Sequence, residues 1–359
     1  MKTQRLNEII KSLSEIGLEQ MVICDPCSVF YLTGIMIKPG ERMLALYINS
    51  DSSKNKFFIN ELFTVNEDVG VEKIRFDDNV DSAELLAKYT DHTKPLGIDK
   101  KFEARFLLRL MECGAASEYV NSSECVDYAR SQKDSDEAVL MREASRINDY
   151  AMGEIIKRVA DGVTEEGIAS QMMELYKSQG ADGYSFEPLV GFGASAAIGH
   201  YEGGAKVIKE GDCVLVDVGC VKDNYCSDMT RTFFYKSVSD EHRKIYEIVK
   251  KAQQAAIDAI KPGARFCDID KAARDIITDA GYGETFNHRL GHSIGIECHE
   301  YGDVSSTNEN ILKPGMVFSI EPGIYLEGDV GVRIEDLVMV TQDGAEVLNK
   351  FTKELTIIG

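Results

Sequence analysis

Positive charge is in short supply in this sequence. Forty Lys and Arg stand against sixty Asp and Glu in 359 residues, a formal charge of −20. A surface of that sign repels phosphate backbones and sets nucleic acid aside as a partner. Long apolar runs are missing too: no stretch approaches the roughly 18 apolar residues that a membrane span needs. The opening segment, Met1 to Gln20, has helical spacing but lacks the apolar centre of a signal peptide. Cysteine occurs nine times, an odd and scattered set that suits reduced, packed thiols better than a secreted disulfide framework. A cytoplasmic chain without membrane contact is therefore expected. No repeat at a fixed period and no low-complexity tract is present. The 44% hydrophobic content is that of an ordinary folded protein.

At about 150 residues per domain, the length suggests two domains. Residues 1–123 alternate short apolar runs (Met21 to Cys24, Met43 to Ile48) with helical spacing (Ser82 to Tyr89, Phe102 to Glu112), which predicts a small α/β domain. A polar stretch, 124–136, is expected to be the connection, and 137–359 a second domain. Helices are predicted there over Asp136 to Ala160, Thr164 to Gln179, Glu241 to Ile260 and Asp268 to Ala280. Strands are predicted over Cys213 to Val218, Met229 to Tyr235, Met316 to Ile320 and Gly331 to Thr341, giving helices outside a mixed sheet.

Histidine is scarce, six in all, yet His200, His288, His292 and His299 fall in glycine-rich surroundings, three of them within twelve residues. Carboxylates supply the second signal. Asp217 ends an otherwise apolar run, Val214-Leu-Val-Asp, where an acid is costly unless paired or metal-bound. A hairpin turning at Lys222-Asp223 would set Asp217 directly opposite Asp228, Val218 opposite Ser227 and Gly219 opposite Cys226. A second hairpin, centred on Gly328, would set Glu321 opposite Glu335. Bare like charges across a strand pair are destabilising, and a cation resolves both clashes. Four carboxylates and an imidazole suit two hard or borderline divalent ions with a water between them. In the competing account, the acids are satisfied by Arg231 and Arg333. Arg333 could also orient a ligand carboxylate.

Two motifs fail on inspection. Gly191-Phe-Gly-Ala-Ser-Ala196 imitates a dinucleotide fingerprint, but Gly199, Gly203 and Gly204 spoil the helix it requires. His299-Glu300 begins like a zinc-protease HExxH, but position 303 is Asp.

Together, Gly199-His200-Tyr-Glu-Gly-Gly204, Val216-Asp-Val-Gly219, Ser227-Asp-Met-Thr-Arg-Thr232, His288-Arg-Leu-Gly-His292 through His299-Glu300, Lys313 through Tyr325 and Val332-Arg-Ile-Glu-Asp336 resemble the pita-bread metallopeptidases. The match in order and spacing is to the Xaa-Pro branch of aminopeptidase P and prolidase. Phe30-Tyr-Leu-Thr-Gly34 also resembles that branch, whose pita-bread domain follows a smaller α/β creatinase-type domain. The resemblance implies that Asp217, Asp228, His292, Glu321 and Glu335 hold two divalent metal ions, Mn²⁺ first, with Co²⁺ and Zn²⁺ also suitable. It implies that His200 and His299 contact substrate at the scissile amide, and that His288 lines the site.

The implied activity is hydrolysis of an Xaa-Pro bond, at the N-terminus of peptides or in dipeptides, by a metal-bridging hydroxide. His200, His299 and Glu321 would be catalytic, and Arg333 is added to the substrate-binding set. The partners implied are small peptides with proline second and another copy of the chain in a homodimer, with the N-terminal domain gating substrate. A creatinase-like metal-independent hydrolase and a non-catalytic binding protein are the alternatives on this fold, and neither needs an intact ligand set. Two departures bear on substrate detail: Cys298 precedes His299, and the loop Glu300 to Ser306 lacks the proline often seen there.

Overall fold

The structure is a computed structural model describing residues 1–199, 201 and 203–359. It divides into two compact units, Met1–Arg130 and Ser131–Gly359. The division falls within the polar stretch 124–136, which is mostly helical: one helix spans Ser123–Ser131 and the next begins at Ser135.

The first unit holds one six-stranded sheet with strand order β4-β3-β2-β1-β5-β6. Its strands are β1 (Gln20–Ile23), β2 (Ala45–Asn49), β3 (Lys56–Asn60), β4 (Glu72–Phe76), β5 (Leu96–Ile98) and β6 (Tyr119–Asn121). The β1–β2 and β2–β3 pairs are antiparallel; the others are parallel. Helices α1 (Thr3–Glu15), α2 (Pro26–Thr33), α3 (Ser82–Ala87), α4 (Ala104–Glu112) and α5 (Ser123–Ser131) accompany it. Leu6, Ile9 and Leu13 recur at helical spacing and are the buried apolar stripe of α1. Val22, Tyr47, Phe58, Leu86, Leu96 and Leu110 meet in the core. Cys24-Asp-Pro-Cys27 is, by spacing, a CxxC pair. Burial, then Asp99 and Asp25, push the Cys24 thiol well above its ordinary value, the reverse of a reactive dithiol.

In the second unit α6 (Ser135–Ile155) opens with a capping box, in which Asp134 and Glu137 satisfy each other's backbone N–H. The predicted helix over Thr164 to Gln179 is two, α7 (Glu165–Ala169) and α8 (Met172–Ser178). Between them Ser170 Oγ and Gln171 Nε2 both donate to the Gly167 carbonyl, drawing it out of the helical ladder. Helices α9 (Asp240–Ala259) and α10 (Phe266–Asp279) follow.

The strands are β7 (Gly183–Tyr184), β8 (Leu189–Phe192), β9 (Cys213–Val218), β10 (Cys220–Lys222), β11 (Tyr225–Cys226), β12 (Met229–Tyr235), β13 (Gly291–His292), β14 (Asp303–Val304), β15 (Val317–Ile320), β16 (Gly323–Leu326), β17 (Val330–Arg333), β18 (Asp336–Val340), β19 (Ala345–Val347) and β20 (Ile357–Ile358). One sheet runs β20-β12-β9-β8. Alternation along β9 sends Leu215 towards α9 and α10, and Val214 and Val216 towards α6 and α8. This central sheet is therefore buried on both faces. No helix among the described residues is long and apolar enough to cross a membrane.

Two register findings position the site. The first hairpin turns at Asp223-Asn224, whose φ values of 50° and 68° match the twist of the flanking strands, not at Lys222-Asp223. Asp217 therefore faces Thr230, and Val218 faces Met229. The predicted pairings of Asp217 with Asp228, Val218 with Ser227 and Gly219 with Cys226 are corrected by two residues. An even shift keeps every side chain on its original face, so Asp217 and Asp228 remain neighbours, one step apart along the ladder. The second hairpin keeps its predicted register: Gly323 faces Arg333 on one side of a break and Ile320 faces Asp336 on the other. The break, which splits the predicted Gly331 to Thr341 strand, has a cause. Pro322 has no N–H to offer, and the Glu335 N–H turns to the Thr230 carbonyl, 3.0 Å away.

Candidate metal centre

Four strand segments converge where β9, β12 and the broken hairpin meet. Asp217 lies near the end of β9, Asp228 just before β12, and Glu321 and Glu335 stand within the hairpin break. His292 arrives on β13, which can reach β15 only because residue 291 is glycine: a Cβ there would lie 1.9 Å from the Ser319 carbonyl oxygen. Ser319 then serves both neighbours. Its hydroxyl accepts the His292 N–H at 3.0 Å and donates to Glu321 Oε1 at 3.1 Å.

His292 Nε2 is 3.5 Å from Asp228 Oδ2 and 3.7 Å from Glu321 Oε1. Donor atoms of Asp228, His292 and Glu335 all lie within 4.8 Å of one another. Burial first, then Asp217 and Glu321, push the Asp228 carboxyl well above the ordinary range. Burial, then Asp228, Glu321 and Asp217, do the same to Glu335. Asp217 is raised by burial even though Arg333 pulls the other way. The Oδ1 atoms of Asp217 and Asp228 are buried without a hydrogen-bond partner. Buried carboxylate oxygens that repel each other and find no donor are what a cation would satisfy, so these residues fit divalent metal.

The two arginines divide their duties. Arg333 donates from Nη2 to Asp217 Oδ2 (2.5 Å), from Nη1 to the Tyr325 hydroxyl (3.0 Å) and from Nε to Thr230 Oγ1 (3.1 Å). The Thr230 hydroxyl in turn donates to Glu335 Oε2 at 2.7 Å. Arg231 bonds Asp336 Oδ1 at 2.6 Å, so it satisfies neither Asp217 nor Asp228.

Two of the histidine rings, His299 and His288, are held towards the neutral form by their environment. His299, its ring centroid 4.1 Å from that of His292, is pushed down to about 4 by burial, His292 and Arg289. Burial also lowers His288, which donates from Nδ1 to the Arg289 carbonyl (2.7 Å) and meets the Tyr325 hydroxyl through Nε2 (3.0 Å). His200 lies outside the described residues. The Cys298 thiol donates to Asp228 Oδ2 at 3.6 Å.

Sequence reasoning passed over Thr230, Ser319 and Tyr325. The first two had a signal, since each sits two residues from a candidate ligand and so on the same strand face. Tyr325 had none; only the fold brings it to Arg333 and His288.

The whole chain has counterparts among known proteins. Residues 139–342 match the metallopeptidase family M24, and residues 5–132 the creatinase/prolidase N-terminal domain. An uncharacterized peptidase of Staphylococcus aureus (strain MSSA476) is 37% identical over 97% of this chain and 99% of its own length. A dipeptidase from Pyrococcus horikoshii OT3 superposes with a TM-score of 0.93 at 34% identity, covering 99% of this chain and 100% of that one. An Xaa-Pro dipeptidase from Bacillus anthracis gives 0.91 at 30% identity, covering 99% of both chains. Fold and site thus define a metallopeptidase, with a creatinase-type domain ahead of a pita-bread domain. The chain belongs to the metallopeptidase family M24, whose enzymes use divalent metal ions.

Proposed function

We propose that this chain hydrolyses the bond between a residue and a following proline in small peptides, using two divalent metal ions. The observation that carries this reading is the buried carboxylate cluster with two unpartnered oxygens, Asp217 Oδ1 and Asp228 Oδ1. Asp217, Asp228, His292, Glu321 and Glu335 would hold the ions, with Mn²⁺ first and Co²⁺ or Zn²⁺ also suited to the donor set. Bound there, divalent metal lowers the pKa of a coordinated water and polarises the scissile carbonyl.

Glu321 takes the proton of the attacking water and carries it towards the leaving nitrogen. A proline nitrogen is a tertiary amide without N–H, so the C–N bond can break cleanly only if that nitrogen receives a proton; His200 assists there. His299, held neutral, keeps an N–H with which to donate to the carbonyl oxygen as negative charge develops on it. His288 lines the substrate side, with the Tyr325 hydroxyl fixing its ring. Catalysis is assigned to 137–359, and substrate gating and homodimer contacts to 1–123. The nine cysteines, all free, support a cytoplasmic setting.

A dipeptide substrate has a free carboxylate that needs a cation. The Arg333 guanidinium is engaged with Asp217, Tyr325 and Thr230, whereas Arg289 is exposed and its charge is felt at His299. We therefore assign Arg333 to orienting Asp217 and Arg289 to the substrate carboxylate, which favours dipeptides. The test is hydrolysis of Ala-Pro and Ala-Pro-Ala-Ala by Mn²⁺-loaded protein, with a chelated control. Chelator-sensitive cleavage of Ala-Pro is expected, with Arg289→Met raising its KM about tenfold and that of the tetrapeptide far less. Cleavage of neither peptide by metal-replete protein would overturn the reading.

A further inference from the structure

Lys133 and Glu300 form an ion pair that the catalytic reading leaves unused. Their side chains are 1% and 4% exposed, with Nζ 2.9 Å from Oε2. A pair buried so completely gives little net stability over an apolar one, because desolvating both charges offsets their attraction. Its position suggests another use. Glu300 directly follows His299, and its second oxygen, Oε1, accepts the N–H of Ile296 at 2.9 Å and, at the long limit, that of Glu297 at 3.4 Å.

The carboxylate thereby closes the segment from Gly295 to Glu300 on itself. The Glu300 N–H returns to the Ser293 carbonyl at 2.9 Å, and the Gly295 N–H bonds the Glu297 carbonyl at 3.0 Å. Close approach is required at Gly295, where a Cβ would lie 2.6 Å from Glu300 Oε2 and 2.9 Å from Oε1. The far end of the pair is just as firmly held. The Lys133 N–H donates to the Gly315 carbonyl at 2.8 Å, and Gln132 bridges Met316. Those residues lead into β15, whose end delivers Glu321.

We infer that Lys133 and Glu300 are positioning residues for His299: the pair clamps the loop carrying that imidazole to the base of the strand carrying Glu321. This rests on the reading of His299 as the donor to the scissile carbonyl. The ammonium neutralises and aims the Glu300 carboxylate, whose Oε1 sets the path of the loop. A donor aimed at developing charge loses much of its effect when displaced by about 1 Å, and kcat suffers far more than ground-state binding.

The experiment compares metal-loaded Lys133→Met, Glu300→Ala, the pair Lys133→Met/Glu300→Gln, and His299→Ala. Kinetics, metal content and amide hydrogen exchange over residues 293–300 are measured for each. Lys133→Met and Glu300→Ala are expected to lower kcat about tenfold with KM within about twofold and metal content unchanged. Glu300→Ala should also expose the Ile296 amide to exchange. The paired variant leaves no uncompensated buried charge and keeps an amide oxygen for the Ile296 N–H, so it should recover kcat to within about threefold of the parent. A parent-like kcat in Glu300→Ala, or losses that follow metal content or unfolding, would overturn the inference. So would a paired variant no better than Lys133→Met. A parent-like kcat in His299→Ala would instead remove the reading of His299 beneath it.

Discussion

Asp228 carries opposed demands at the scale of a single residue. Burial and the charges of Asp217 and Glu321 raise its carboxyl well above the ordinary range. A carboxyl raised in the folded state binds its proton more tightly there than in the unfolded chain. The stability of metal-free protein therefore falls as pH rises through the unfolded value of about 3.9 towards the raised one. Asp228→Asn is expected to abolish turnover and lower metal content, yet to stabilise chelated protein at neutral pH by roughly 1–3 kcal/mol. Melting in excess chelator checks this; a lower melting temperature would mean the carboxylate is otherwise satisfied. Thr230 acts one bond further out, accepting from Arg333 and donating to Glu335. Thr230→Val should weaken metal binding about tenfold, read by calorimetric titration of Mn²⁺, with unfolding little changed.

Among the elements, the two hairpins place the candidate ligands by different means. The first depends on a turn in which Asp223 and Asn224 both take positive φ. Asn tolerates that conformation, whereas a β-branched residue does not. Asn224→Val should cost about 1–2 kcal/mol in urea unfolding, and Asn224→Gly should cost almost nothing. Equal losses in the two would locate the effect in the side chain of Asn224. The second hairpin depends on an interruption. Because Pro322 cannot donate and Glu335 turns its N–H to Thr230, the ladder opens where Glu321 and Glu335 stand, with β12 brought against the gap.

For the whole second unit, Arg231 joins segments far apart in sequence. It donates from Nε to the Thr352 carbonyl, from Nη1 to those of Thr230 and Glu335, and from Nη2 to Asp336 Oδ1 and the Phe351 carbonyl. Lys353 and Gln253 complete the surroundings of Asp336 at 3.0 and 2.8 Å. The strand entering the candidate metal centre, the candidate ligand Glu335 and the C-terminal segment thus share one guanidinium. Arg231→Met should destabilise the unit by about 3–5 kcal/mol, measured by denaturant unfolding. Arg231→Lys should recover only part of that, since an ammonium has three donors and no planar fork.

Local pattern alone placed α3, α4, α9, α10, β9, β12 and β15 to within a few residues, because burial on one face imposes a period that the residues must follow. It also determined that Asp217 and Asp228 share a face, and that Glu321 and Glu335 oppose each other. Those statements depend on parity and turn position, which are properties of neighbouring residues. The tight turn at Asp223-Asn224, and with it Thr230 as the partner of Asp217, is a local feature as well, set by two residues that accept positive φ. Only the tertiary structure set Arg333 on Asp217 and Arg231 on Asp336, and it alone brought Tyr325 to His288 and Lys133 to Glu300. Each of those contacts joins strands or loops distant in sequence, and which charged group meets which is settled by how the sheets and helices pack, a matter on which no local periodicity bears.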